Sequence, residues 1–243
     1  MRYLLHICAF VIDGIRFRLV LCMYTVLWFL SFFVSPASAQ PVPLPLNPKT
    51  EEYFFEEVKL PGGTPIRDVI ALQEDRQGFI WLAGKHGLFR YDGHDFKIFR
   101  HTPGDDKSIV DTELWSLYML GDTLLCVGTT HGVSLIDTRT DRITNLPDDT
   151  EGNPVGYVSC FYRDDAGTLW MGGLEGLYHI RPDLSGIVHH PLPPVTKEKS
   201  LFGNRVYDIV SHTMDSNRLM LATVAGLVSF DKKKSAFHQL HPN

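Results

Sequence analysis

The chain has 243 residues, 44% of them hydrophobic and 12% aromatic, with a formal net charge of −5. The aromatic content excludes a disordered chain, and the length suffices for one large domain or two small ones. The acidic balance argues against nucleic acid or an anionic membrane as a partner of this region, because both select basic surfaces.

Arg16 and Arg18 stand before an apolar run over 19–34, and Pro36 and Ala37-Ser38-Ala39 follow it. A charged segment, an apolar segment and a small-residue cleavage site in that order make up a secretory signal. Residues 1–39 are therefore expected to be a signal peptide, cut between Ala39 and Gln40. The apolar run is short for a bilayer span of roughly 20 residues. Left uncleaved, it would be the membrane contact of this region. Residues 40–52 carry Pro41, Pro43, Pro45 and Pro48 and read as an extended linker. Cys8 and Cys22 leave with the signal. Cys126 and Cys160 stand at strand-like apolar positions, where a free thiol packs as a small hydrophobe. An exported compartment equally permits a disulfide, and the sequence leaves both states open.

From residue 53 onward the chain repeats itself. Ile80-Trp81-Leu82-Ala83-Gly84-Lys85-His86-Gly87-Leu88-Phe89 aligns without a gap on Leu169-Trp170-Met171-Gly172-Gly173-Leu174-Glu175-Gly176-Leu177-Tyr178. Weaker copies run from Leu125 through Ser134 and from Leu219 through Val228. The anchoring glycines are Gly87, Gly132, Gly176 and Gly226. The first copy predicts strands over 68–73, 79–83, 88–91 and 96–99, separated by turns at Asp75-Arg76-Gln77-Gly78, 84–87 and Asp92-Gly93. The third copy predicts strands over 157–162, 168–172, 176–180 and 187–190 around the turn Asp164-Asp165-Ala166-Gly167. Helix signals are confined to a single turn near 197–199.

Four short strands in each of four tandem copies predict an all-β fold, a β-propeller of four-stranded antiparallel blades. The blades are expected at about 66–112, 113–156, 157–204 and 205–243. A lone sheet cannot cover both of its apolar faces, so neighbouring blades must do it. Trp81, Cys126, Trp170 and Met220 occupy equivalent positions and are expected to fill the layers between blades. A closed ring takes about four to eight blades. With four copies and no visible cap on the last, the expectation is an incomplete ring continued in a longer protein.

The stretch from Asp75 to Asp92, with Trp81, Gly87, Leu88 and Tyr91, and its echo from Asp164 to Tyr178, resembles the two-component regulator propeller repeat. Gly84 and Gly173 depart from it, standing where the family carries Thr, while Thr129 and Thr223 keep the Thr. Copies two and four lack the Trp. The resemblance implies the periplasmic sensor region of a Bacteroidota-type hybrid histidine kinase that responds to oligosaccharide. It also implies a homodimer anchored in the inner membrane, with stalk, membrane span, kinase core and DNA-binding output outside these residues. The region itself is expected to be non-enzymatic and to need no cofactor. An exported propeller enzyme, glycoside hydrolase or lyase, and a purely structural interaction propeller are the alternatives.

Propeller ligands gather where variable loops converge on one face. The turns before the anchoring glycines are such loops, and Lys85, His86, Thr130, His131 and Glu175 are the candidate ligand contacts. As surface turns they can equally be plain solvated connections. His86, His94 and His101 lack zinc-ligand spacing, and no metal site is expected. Asp164 to Trp170 resembles the Asp-box turn of sialidases, itself a structural hairpin device. No nucleophile elbow, phosphate loop or carboxylate pair is legible.

Overall fold

Each repeat copy folds as one antiparallel sheet of four consecutive strands. The computed structural model describes residues 58–59, 67–193 and 204–240. The expected signal segment, linker and 197–199 turn lie outside the described residues. Blade one holds β1 (Val69–Glu74), β2 (Ile80–Gly84), β3 (Gly87–Tyr91) and β4 (Phe96–Phe99). Blade two holds β5 (Leu114–Leu120), β6 (Leu124–Thr129), β7 (Gly132–Asp137) and β8 (Arg142–Asn145). Blade three holds β9 (Val158–Arg163), β10 (Leu169–Gly173), β11 (Gly176–Ile180) and β12 (Ile187–Pro191). Blade four holds β13 (Val206–His212), β14 (Asp215–Thr223), β15 (Gly226–Asp231) and β16 (Ala236–Gln239). The first strands pack in series, β1 on β5, β5 on β9 and β9 on β13, so the first strand of each blade lies innermost. The four blades do not close into a ring.

Three apolar layers hold the blades together. Trp81, Leu88 and Phe99 of blade one meet Leu114, Leu125, Val127 and Ile136 of blade two. Cys126, Val133 and Leu135 meet Val158, Met171 and Tyr178. Trp170 and Leu177 meet Val206, Leu219, Leu221 and Phe230. Each large side chain buried this way contributes roughly 1.5–3 kcal/mol.

A carboxylate aims the two tryptophans. Asp75 accepts a hydrogen bond from Trp81 Nε1 at 2.7 Å on one oxygen and from the backbone N–H groups of Gln77 and Phe79 at 2.9 and 3.1 Å on the other. Asp164 repeats this with Trp170 Nε1 at 3.0 Å and the Thr168 N–H at 2.9 Å. The same side chain closes the hairpin turn and turns the indole toward the next blade. Blade four adds Lys232 Nζ to Asp164 at 2.6 Å. Burial pushes the Asp164 carboxyl up, but bonds from Lys232, Trp170 and Thr168 outweigh it and hold the group below its ordinary value. Blades one and two are clamped similarly, by Arg90 and Lys97 on the two oxygens of Asp141 at 2.6 and 2.7 Å.

The anchoring glycines mark positions closed to side chains. Gly87, Gly132, Gly176 and Gly226 have φ of 119°, 113°, 132° and 100°, a region L-residues rarely adopt. The Gly-for-Thr departures have a physical reason too. In blades two and four, Thr129 and Thr223 bridge the turn with their hydroxyls, donating to the carbonyls of Gly132 and Gly226 at 3.0 and 2.8 Å. In blades one and three the backbone just ahead of the innermost strand comes too close. A Cβ at Gly84 would sit 2.3 Å from the Asp68 carbonyl oxygen, and one at Gly173 2.5 Å from that of Tyr157.

Two details correct or complete the sequence reading. Trp81, Cys126 and Trp170 are buried, but Met220 is half-buried. It faces away from blade three, onto the side where the described residues offer no further blade. Val210 on that same side is 51% exposed, and Leu72 on the outer side of blade one is 65% exposed. The cysteines are free and belong to different layers, Cys126 between blades two and three and Cys160 between three and four. Burial pushes both thiols up to about 12.

Replacing Trp81 by Phe keeps most of the apolar contact but leaves Asp75 without its indole donor. The expected loss is about 1–3 kcal/mol. Trp81→Ala adds a cavity, and the expected loss rises to about 3–5 kcal/mol. Urea midpoints in the order wild type, Trp81→Phe, Trp81→Ala are the expected result, and a Phe variant as stable as wild type would show that the indole bond contributes nothing.

The layer between blades three and four also contains a histidine pair. His179 Nδ1 lies 2.9 Å from His190 Nε2, and both rings pack on Trp170 at 5.2 and 5.6 Å. Burial, then His179 and His189, hold His190 down to about 4 from an ordinary 6.5. Burial, then Arg181, also lowers His179. Between pH 6.5 and about 4 the unfolded chain therefore binds protons that the folded chain refuses. Stability is expected to fall as pH drops through this window, and His190→Gln to flatten the fall. The test is the denaturation midpoint followed across that range, and an equal slope in the variant would clear His190 of the effect.

Candidate functional site

The innermost strands share an irregularity that the repeat pattern does not announce. Each carries one extra residue just after its first paired position. The extra residues are Ile70, Trp115, Ser159 and Tyr207, where the register to the second strand slips. A β-bulge re-aims the side chain it releases. Immediately before each strand stand Asp68, Glu113, Tyr157 and Arg205. Together these positions form a rim at the inner end of the blades.

The turns named from sequence are bonded to this rim. The N–H groups of Thr130, Leu174 and Val224 donate to the carbonyls of Glu113, Tyr157 and Arg205 at 3.1, 3.2 and 3.2 Å. In blade two the contact extends to side chains. Trp115 Nε1 donates to Thr130 Oγ1 at 3.1 Å, and Thr130 Oγ1 lies 3.3 Å from a Glu113 carboxylate oxygen. His131 Nδ1 is 2.5 Å from Asp111 Oδ2. Burial raises the Asp111 carboxyl, but His131 and the Glu113 and Thr112 N–H groups outweigh it and hold it below the ordinary carboxylate value. His86 stands 3.6 Å from Asp68.

The other two candidates are less engaged. Glu175 is exposed and tied outward through its carbonyl, which lies 3.0 Å from His189 Nε2. Lys85 is exposed on its turn. The structure therefore gathers Thr130 and His131 with Asp111, Glu113 and Trp115, sets His86 beside Asp68, and leaves Lys85 and Glu175 at the periphery.

Sequence reasoning missed the aromatic part of the rim. Trp115 and Tyr157 lie 4.8 Å apart between centroids, from adjacent blades. The Arg205 guanidinium sits 4.4 Å from the Tyr157 ring and 5.7 Å from the Tyr207 ring. Thr130, Trp115, Tyr157, Arg205 and Tyr207 thus form one continuous stripe across blades two, three and four. Burial raises the Tyr157 hydroxyl, with Arg205 pulling the other way, so the phenol is neutral. A faint signal existed: Leu114-Trp115 and Val206-Tyr207 put two large apolar residues side by side, which breaks strand alternation.

No protein-family model matches the chain. Among solved structures, the extracellular domain of a hybrid two component system from B. thetaiotaomicron is similar, with a TM-score of 0.61 and 18% identity over 74% of this chain and 25% of that one. The extracellular domain of a second hybrid two component system from the same organism gives a TM-score of 0.48 and 16% identity, over 79% and 29%. In sequence, a histidine kinase from Formosa agariphila is 33% identical over 64 residues, 26% of this chain and 5% of the kinase. The chain spans about a quarter of the first solved relative and a twentieth of the curated one. The first of these likenesses is one of fold, which the four tandem four-stranded antiparallel sheets make a β-propeller.

Proposed function

We propose that this chain is the ligand-binding propeller of a periplasmic sensor belonging to a two-component system, and that it binds oligosaccharide on the rim of its innermost strands. The observation that carries the reading is the stripe Trp115–Tyr157–Arg205–Tyr207, bordered by hydroxyl and carboxylate groups. Sugar rings offer apolar C–H faces and polar hydroxyl edges. Aromatic faces beside fixed donors and acceptors match both, and although Trp115 and Tyr157 are tilted 59° to one another, each offers a ring already held by packing, which keeps the ordering cost low.

The likeness to extracellular domains of hybrid two component systems supports a sensory role outside the cytoplasm, as does the signal segment read at 1–39. Signalling follows as a population shift. A ligand that bridges blades two to four favours one arrangement of the blades over another, and the output moves by that differential affinity. A kinase core, a membrane anchor and dimerisation belong to the proposal for the full-length product.

The test is calorimetric titration of the exported protein with a panel of plant and algal oligosaccharides. At least one is expected to bind, and Trp115→Ala to weaken it about ten-fold or more, as loss of a central aromatic anchor does. The unfolding midpoint of the variant checks that the fold survives. Binding that ignores Trp115→Ala would remove the rim from the proposal.

A further inference from the structure

We infer that the seam between blades one and two holds a second binding site, a cavity that takes a small zwitterion, an α-amino acid with a large apolar side chain. It shares no lining residue with the rim and does not rest on the rim reading. The cavity has a volume of about 430 Å³, within the range of small-molecule pockets, about 300–1,000 Å³. Its apolar wall is Ile98, Phe99 and Ile143, from the outermost strands β4 and β8, and the loop that links the two blades covers it. Two polar side chains hold that loop in place. Ser134, buried in β7, accepts the Val110 N–H at 2.9 Å and donates to Asn145 Oδ1 at 2.7 Å. Asn145 Nδ2 donates to the Ser108 carbonyl at 2.9 Å. At the same paired positions blade one carries Phe89 and Ile98, and blade three Tyr178 and His189. In the next seam the linking loop pairs by backbone with the outermost strand, the Thr150 N–H donating to the Ile187 carbonyl at 2.9 Å. Among the described residues the loop over 100–109 makes no such backbone bond to β8, and the cavity occupies this seam.

The loop is set before a ligand arrives. The Ser108 hydroxyl accepts the Thr102 N–H at 2.9 Å and donates to the Asp105 carbonyl at 2.8 Å, so little ordering is left to oppose binding. Charges of both signs line the cavity, Arg100 and Lys107 against Asp105. Asp105 Oδ1 accepts the Lys107 backbone N–H at 3.0 Å, and its Oδ2 and the Lys107 ammonium have no partner among the described residues. The Arg100 guanidinium is tied through Nε to the His86 carbonyl at 3.2 Å. Around them, Lys97 pairs with Asp141, the His101 ring lies 2.9 Å from the Ile109 carbonyl, and Asp106 and Arg142 are exposed. A plain anion in the cavity would meet Asp105, and a plain cation would meet Arg100 and Lys107. A ligand with both charges satisfies the lining: its carboxylate takes the guanidinium or ammonium, and its ammonium takes Asp105. The apolar wall then receives an apolar side chain. Mixed charge of this kind selects against ligands that carry one sign alone.

The experiment titrates the protein calorimetrically with two matched sets of probes. L-Phenylalanine is set against 3-phenylpropanoate and 2-phenylethylamine, and L-leucine against 4-methylpentanoate and 3-methylbutylamine. In at least one set the amino acid is expected to bind about ten-fold or more tightly than the acid that lacks its ammonium and the amine that lacks its carboxylate. Asp105→Asn keeps the acceptor for the Lys107 N–H and is expected to remove the advantage of amino acid over acid. Lys107→Gln is expected to weaken amino acid and acid and to spare the amine. Ile98→Trp fills the cavity and is expected to abolish binding of all three. Equal binding within each set, or a preference that survives both Asp105→Asn and Lys107→Gln, overturns the zwitterion assignment. Binding that ignores Ile98→Trp overturns the location, and absence of binding by every probe overturns the site itself. Unfolding midpoints close to wild type show that each variant is folded, so that a lost signal reports a lost contact.

Discussion

The hydrogen bond between a turn aspartate and an indole organises this molecule. Asp75 and Trp81 in blade one, and Asp164 and Trp170 in blade three, bring together three tasks that could have been separate. The carboxylate satisfies backbone donors of its own hairpin, so the turn between the first two strands closes. It satisfies the indole N–H, so the ring can be buried without an orphaned donor. And it fixes which way the ring points, toward the following blade. Everything further out depends on that direction, because the layer between two blades is filled by one sheet's large side chains and received by the other's smaller ones.

Copies two and four lack this pair, and their layers are built differently. Cys126 takes the place of the tryptophan after blade two, and the volume is made up by Met171 and Tyr178 of blade three, with Tyr118 and Phe161 packed against them. The layer after blade three has its tryptophan and adds two histidines that pack as neutral rings. Charged clamps complement the layers, Asp141 against Arg90 and Lys97, and Asp164 against Lys232. Asp164 thus belongs to its hairpin, its indole and the neighbouring blade at once.

The proposed binding surface arises from the least regular part of an otherwise regular repeat. A bulge at the same place in four innermost strands turns one side chain per blade out of the layer pattern. In blades two and four that side chain is aromatic. With Tyr157 and Arg205 from the positions just ahead of the strands, these residues form a bridged surface that no single blade contains. The scaffold is rigid because its layers are packed, and the rim can differ from blade to blade because it takes no part in the layers.

The repeat, its four strands per copy, the glycine anchors and the buried tryptophans were legible in the amino-acid sequence, because strand alternation, positive-φ turns and large apolar residues are local demands that recur wherever the same local structure recurs. Thr130 and His131 were legible as turn residues for the same reason. Trp115, Tyr157, Arg205 and Tyr207 were not legible as a group. In sequence they read as ordinary strand aromatics and a scattered cation, since a bulge changes no residue type and leaves only a slip in register. Their assembly depends on how neighbouring sheets stack around the inner strands, and so does the half-exposure of Met220, which matches the buried Trp81 in the repeat but faces a side without a partner blade among the described residues. Local chemistry determined what each blade is, and the packing of one blade on the next decided which of its side chains meet.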